Sequence, residues 1–265
     1  MQRIVVLNPK GGSGKTTIAV NLASYFATRQ QRPVLIDHDP QGSAGRWVSK
    51  RSLSRPRVDL IAAHERDPRV TRSFQLRPPP DATHIVVDTP AAMSTQTMIE
   101  LTREAHKILV PVLPSDIDIH ACSRCIRDLL LVAKIKRYDN RLAVIANRVR
   151  TNTLAYQSLR RFLETLGIPI VATLRDSQNY VRAAELGVGV HEMKAYVVKD
   201  DTEQWAPLVE WLNRPKPATA KPPTPGGPLS AEGAPAPDPS PTDTQPALEK
   251  ALAELPPLPQ AVSNA

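Results

Sequence analysis

The sequence predicts an α/β chain: a mostly parallel, twisted sheet with helices on both faces. Three observations lead there. Seven short apolar runs recur up to Leu174, and most are continuous in Val, Ile and Leu instead of alternating. That is the pattern of strands buried on both faces. Stretches with helical spacing separate them, and strand–helix alternation builds a parallel sheet. A glycine-rich turn ending in Gly-Lys-Thr stands between the first apolar run and the first helical stretch.

The elements follow in order. RIVVLN (3–8) is the first strand; it runs into the glycine-rich turn, and a helix over 15–29 follows. PVLIDHD (33–39) is the second strand, with two aspartates at its end. QGSAGRWVSKRSLSRPR, after it, is less regular and admits a basic helix ending before Pro56. VDLIAA (58–63) and THIVVDTP (83–90) are the third and fourth strands, and a helix is expected over 94–105. HKILVPV (106–112) precedes a helix at 118–137, RLAVIANR (141–148) one at 152–166, and IPIVATL (168–174) one at 178–187. A last helix is expected near 201–213. Ligands of such sheets sit beyond the carboxyl ends of the strands, which is where the polar motifs fall.

Composition divides the chain of 265 residues. From Arg214 onward lie 14 of the 27 prolines, spaced by Ala, Ser, Thr and Gly. Such a segment buries too little apolar surface to offset the entropy of ordering. The expectation is one domain over 1–213 and a disordered tail over 214–265, with ALEKALAEL (247–255) as a short helix candidate. Four basic and five acidic residues lie in the tail, net −1 against +8 for the whole chain, which leaves +9 for the body. A domain that basic attracts polyanions, nucleic acid first and anionic membrane second. No stretch approaches the ~18 apolar residues of a membrane span. The N-terminus lacks the layout of a signal peptide. Two cysteines without an export signal point to a reducing cytoplasm and away from a disulfide framework.

The turn LNPKGGSGKTT matches the end of the phosphate-loop pattern G-x-x-x-x-G-K-[ST] through Gly14, Lys15 and Thr16. The pattern's first glycine falls on Pro9, and Gly11 and Gly12 stand in its place. Successive backbone N–H groups and a helix N-terminus make such a loop a phosphate cradle, here Lys10 to Thr17, including Ser13. Lys15 is expected on the β- and γ-phosphates, Thr16 on Mg²⁺ and Thr17 at the α-phosphate.

Lys10, five residues before Lys15, is one lysine more than the loop needs. Lys-Gly-Gly-x-Gly-Lys-Thr-Thr resembles the deviant Walker A box of the ParA/MinD family of ATPases, and the resemblance covers about residues 1–213. It implies a phosphate-loop NTPase fold of the SIMIBI type, an ATP-hydrolysing switch and a homodimer that closes over ATP and Mg²⁺. In that family the early lysine crosses the dimer to the phosphates of the other subunit. Carried over, Lys10 stabilises charge there, so that hydrolysis depends on dimerisation.

LIDHDPQG resembles the family's D-x-D-P-Q box. By that match Asp37 orients the Mg²⁺ shell and Asp39 positions or activates the attacking water. His38, pointing the other way, reads as structural. IVVDTPA matches the family's Walker B strand, and Asp88 holds Mg²⁺ through water. IANRV matches the Asn-Arg that meets adenine, which makes Asn147 the base-recognition residue. In the next family element, a loop with proline, arginine and asparagine, this chain has Leu174-Arg175-Asp176. Leu174 and Asp176 are therefore expected to reach the base through backbone atoms. YVRAAELGVGVHE, further on, looks like the family's late helix.

The resemblance also implies partners. The chain starts at its phosphate-loop strand, which leaves no N-terminal DNA-reading domain. Short relatives of that form bind DNA without sequence preference. Arg148, Arg150, Arg160, Arg161, Arg182 and Lys194 are the candidates here, with Arg46, Lys50 and Arg51 as a second cluster. The expected location is cytoplasmic and nucleoid-associated. The expected partner is a cargo-linked activator of the ParB or an analogous type. The cargo is a plasmid, a chromosomal locus, a carboxysome or a chemotaxis cluster. The MinD branch uses a C-terminal amphipathic helix for membrane attachment; ALEKALAEL is too short for that, and no membrane partner is expected. Two other classes stay open. Cys122 and Cys125, one helical turn apart, suit a shared iron–sulfur or zinc site across a dimer. A biosynthetic enzyme of the wider fold family is the other.

Overall fold

The computed structural model describes residues 1–137 and 139–214. The tail from residue 215, with the helix candidate at 247–255, lies outside the described residues. All seven expected strands form: β1 Gln2–Val6, β2 Pro33–Asp37, β3 Asp59–Ala62, β4 His84–Asp88, β5 Lys107–Val112, β6 Leu142–Val149 and β7 Ile170–Arg175. They make one sheet in the order β3-β2-β4-β1-β5-β6-β7, and every pairing is parallel. β2, with burial at all five positions, and β5, buried at all six, explain the continuous apolar runs: both faces are covered.

The helices are α1 Lys15–Thr28, α2 Ser43–Ser49, α3 Arg72–Gln75, α4 Thr95–Arg103, α5 Asp116–Leu131, α6 Leu154–Leu166, α7 Gln178–Glu185, α8 Ala195–Glu203 and α9 Ala206–Asn213. Three of these helices depart from the sequence reading in number or extent. The last helix is two, because Pro207 at the start of α9 has no N–H to continue α8 and fits only a first turn. α5 begins at Asp116, because Ser115 caps it by accepting the Asp118 amide. It ends at Leu131, six residues before 137, and Lys134 beyond it has a left-handed backbone (φ 54°). α3 has only four residues and offers no periodicity to read.

α1 carries the core. Ile18, Leu22, Ala23 and Phe26 pack with Ile4 and Val6 of β1, Leu35 of β2, Trp205 at the start of α9, and Leu208 and Trp211 within it. Full burial of each large apolar side chain contributes ~1.5–3 kcal/mol. β1 lies between β4 and β5, so the chain winds to one side of it for β2 to β4 and to the other for β5 to β7. The carboxyl end of β1 is thus the point where the winding reverses, and there the two sides leave a crevice.

Candidate nucleotide site

The phosphate loop occupies that crevice. Gly14 is left-handed (φ 92°) and N-caps α1, and a Cβ there would overlap the Asn147 side-chain nitrogen. Only glycine meets both demands. Asn8, fully buried, ends the strand run: its Nδ2 donates to the Pro111 carbonyl (2.8 Å) and its Oδ1 accepts the Lys10 amide (2.9 Å). The loop is thereby tied to β5. The Asn147 Nδ2 donates to the Ser13 carbonyl (2.9 Å), a second tie from β6.

The two lysines part company. Lys15 is 7% exposed, and its Nζ donates to the Lys10 carbonyl (3.1 Å) across the loop. Burial lowers its pKa, and the Asp88 and Asp39 carboxylates pull it back up. The Lys10 side chain, 32% exposed, leaves the loop for an ion pair with the buried Asp118 of α5 (2.7 Å). The two flanking threonines, Thr16 and Thr17, are half-buried in the first turn of α1. Gly11 and Gly12 form the exposed tip.

The strand-end carboxylates converge. Asp37 is fully buried and accepts the amides of Asp39 (3.0 Å) and Gly45 (3.1 Å). Asp88 is fully buried too, and neither of its carboxylate oxygens has a hydrogen-bond partner within the described residues. Its pKa is pushed up to about 7, first by burial, with Asp37 and Asp39 adding and Thr16 and Lys15 opposing. Asp39 accepts the Gln41 amide (2.9 Å) and is only half-buried, so its charge reaches the site from the rim. His38 donates its backbone amide to the Asp88 carbonyl (3.0 Å). Its imidazole stays neutral, the pKa falling to about 4 through burial and the positive Arg72 and Arg3.

Beyond β5, β6 and β7 lies a cavity of about 320 Å³ lined by Leu113, Pro114, Arg148, Arg150, Thr153, Ala155 and Asp176. Arg148, left-handed at φ 52°, donates from Nε to the Asp176 carboxylate (2.9 Å). The Leu174 side chain is fully buried in the core, which leaves only its backbone for a base. Asn147 has both amide ends engaged within the chain: besides the Ser13 tie, its Oδ1 accepts the Arg148 amide (3.0 Å).

A family model described as the CobQ/CobB/MinD/ParA nucleotide binding domain matches residues 4–190. The chain belongs to this family. Over 194 residues it is 30% identical to the maintenance of carboxysome distribution protein A of Halothiobacillus neapolitanus, covering 72% of this chain and 88% of that protein. The protein of the same name from Gloeobacter kilaueensis is 30% identical over 213 residues, 80% of this chain and 94% of the relative. Among solved structures, an ATP complex of Cyanothece McdA superposes with a TM-score of 0.61 at 17% identity, over 79% of this chain and 96% of that one. MinD of Aquifex aeolicus, in complex with MinC, gives 0.60 at 16% identity, over 83% and 99%. The sheet and helices described above are thus the ParA/MinD fold, and the chain is an ATPase of that type.

Two sequence readings need correcting. Arg51 is no surface cation: it makes a double hydrogen bond to the Glu192 carboxylate (2.7 and 2.6 Å), with side chains 5% and 1% exposed. The six other DNA candidates, Arg148, Arg150, Arg160, Arg161, Arg182 and Lys194, are all exposed. Cys122 and Cys125 are buried within α5, so neither thiol is presented at the surface of the chain. Burial pushes the Cys122 thiol up to about 12 and Cys125 well above its ordinary value, away from the thiolate a metal needs. Among the described residues no group of three or more His, Cys, Asp or Glu side chains is placed to hold a metal, and no helix is long and apolar enough to cross a membrane.

Sequence reasoning missed Asn8 and Asp118. A polar residue closing an apolar strand run was a signal for the first. The second lay in Ser115-x-x-Asp118, a helix-start pattern that points to a cap and says nothing of Lys10.

Proposed function

We propose that this ATPase positions an intracellular cargo, a protein assembly of the carboxysome kind, by cycling between an ATP-bound homodimer held on DNA and released monomers. The observation that carries the reading is the pair of lysines on one phosphate loop, Lys15 folded back across the loop and Lys10 turned away from it to Asp118 of α5. Lys15 serves the nucleotide of its own protomer. Lys10 serves the neighbour's, so turnover waits for closure.

Mg²⁺ fits the residues present. Asp88 is a buried carboxylate without a partner among the described residues, and Mg²⁺ is held by one or two carboxylates, waters and phosphates instead of an all-protein cage. Thr16 would hold it directly, Asp88 through water, and Asp37 would orient the shell. The ion supplies charge neutralisation at the phosphates. Asp39 positions the attacking water. The base enters the cavity beside Asp176, Leu174 presents its backbone, and Asn147, tied to Ser13 and Arg148, meets the base from the phosphate-loop side with the N–H and lone pair its amide has left.

The cargo reading draws support from the extent of the relatives. The two carboxysome-distribution proteins match over 194 and 213 residues, whereas Soj of Thermus thermophilus matches over 44. The exposed Arg148, Arg150, Arg160, Arg161, Arg182 and Lys194 supply a phosphate-backbone surface on the dimer, and an activator of the ParB or an analogous type triggers hydrolysis. The chain then works in the cytoplasm, on the nucleoid.

The test is a fluorescent fusion of the full chain in its own cells. It is expected to coat the nucleoid, and deletion is expected to scatter the cargo. Asp39→Ala, binding ATP without turnover, is expected to stay on the nucleoid. Diffuse fluorescence of wild type and of Asp39→Ala alike would remove the DNA-bound dimer from the cycle.

A further inference from the structure

We propose that Asp118 is the positioning residue for Lys10: it holds the lysine within its own protomer and so sets how readily two protomers close. This rests on the reading above, in which Lys10 acts across a dimer.

Both partners of the ion pair are fixed from below. The Lys10 amide is held by Asn8 Oδ1 at 2.9 Å. Asp118 lies in the first turn of the 16-residue α5, capped by Ser115. Its amide donates to the Ser115 hydroxyl oxygen (3.2 Å), and that hydroxyl donates to the second carboxylate oxygen. β1 and β5, which lead into these two segments, are neighbours in the sheet. The ammonium and carboxylate are therefore brought to 2.7 Å by the fold and not by a chance meeting of surface chains.

The environments are unequal. The Asp118 side chain is 4% exposed and that of Lys10 32%. The carboxylate stays put, stabilised by its cap and the positive end of the helix. The ammonium is the more exposed partner, and it sits at the end of the longer side chain. Ile117, next to Asp118, is 71% exposed, so the turn that holds the lysine also presents an apolar side chain outward.

For Lys10 to touch phosphates on another protomer, Nζ must leave Asp118. That cost enters twice, once per protomer. A triphosphate offers the ammonium more negative charge than one carboxylate does; a diphosphate, lacking the terminal group, competes less well. Asp118 thereby makes closure conditional on the γ-phosphate.

Sedimentation of the full chain with Mg²⁺ and either AMPPNP or ADP tests this. Asp118→Asn keeps shape and cap but drops the charge. It is expected to lower the dimer dissociation constant on the order of a hundredfold, tenfold for each ion pair, and to produce dimer on ADP. Nucleotide affinity of the monomer should stay the same, Asp118→Glu should restore the wild-type threshold, and Lys10→Ala should abolish the effect. A dimerising wild type with unchanged Asp118→Asn overturns the inference alone. Dimerisation of Asp118→Asn beside a monomeric wild type supports it. Monomers in both, at every concentration, overturn the dimer reading and this one together. Should Asp118→Asn fail to fold, NMR of the wild-type Lys10 ammonium decides. Its contact with the Asp118 carboxylate is expected to vanish when AMPPNP dimerises the chain, and persistence in the dimer overturns the proposal.

Discussion

Asp37 and Asp88 are register partners at the last positions of β2 and β4, both fully buried, yet only one of them is satisfied. Asp37 accepts two backbone amides; Asp88 has no partner among the described residues. Burial first, and then the Asp37 carboxylate beside it, disfavour the charged form of Asp88, whose pKa is pushed up to about 7. A cation at this point removes the conflict.

The Mg²⁺ dependence should therefore change with pH. Below pH 7 a cation must displace the Asp88 proton, so Mg²⁺ affinity is expected to rise about tenfold per unit up to about pH 7 and level off above it. In EDTA the sign for stability is opposite. The folded-state pKa lies above the ordinary 3.8, so the folded chain binds the extra proton between those values. Stability then falls as pH rises from about 4 to 7, by at most ~1.4 kcal/mol per unit. Asp88→Asn should flatten both curves. Calorimetric titration with Mg²⁺ and melting in EDTA read them.

The two loop lysines should separate by phenotype. Lys15→Ala removes the ammonium folded back across the loop and is expected to weaken ATP binding on the order of a hundredfold. Lys10→Ala leaves that ammonium in place and should bind ATP as wild type does, while losing dimerisation or turnover. Fluorescent-nucleotide titration beside a phosphate-release assay distinguishes them. Equal loss of affinity in both variants would show that Lys10 serves its own nucleotide.

Much of this was legible beforehand, for a physical reason. Strands buried on both faces must be apolar throughout, so β2 and β5 announced themselves, and a phosphate loop has few chemical solutions. What stayed hidden depends on contacts between distant segments. Nothing local marks Arg51 as internal; Glu192, its partner, lies in another part of the chain. Cys122 and Cys125 were placed on a helix correctly, but the buried face of α5 is set by packing. Asp118 was missed: Ser115-x-x-Asp118 marks only a helix start, with Ser115 as the cap, and the pairing of Asp118 with Lys10 required the sheet to bring β1 beside β5.

Gly14→Ala should fold poorly. The backbone is left-handed at φ 92°, and the new methyl overlaps the Asn147 amide. The expected loss is about 2–3 kcal/mol. In the double variant with Asn147→Ala the overlap disappears but the backbone strain stays, so part of that loss should return. Chemical denaturation of the four proteins of the cycle measures the coupling. Strict additivity would show that the two residues do not press on each other.

Lys107→Met should weaken the fold without touching the site. Lys107 opens β5 at the amino end of the sheet, opposite the phosphate loop, and is 4% exposed. Its ammonium donates to the carbonyls of Asn140 (3.0 Å), Trp211 (3.0 Å) and Arg214 (3.2 Å) and lies 4.2 Å from the centre of the Trp211 ring. Two of those carbonyls are at the end of α9, where few helical N–H groups remain: Trp211 also accepts the Arg214 amide (3.3 Å). Methionine fills the space and donates nothing. The loss is expected at ~2–3 kcal/mol, which lowers Tm by roughly 5–10 °C in a domain of this size. Because α9 meets the sheet at the far end from Lys15 and Asp88, nucleotide affinity at a temperature where the variant is folded should equal that of wild type. A fall in affinity without a fall in Tm would mean that the amino end of β5 communicates with the crevice.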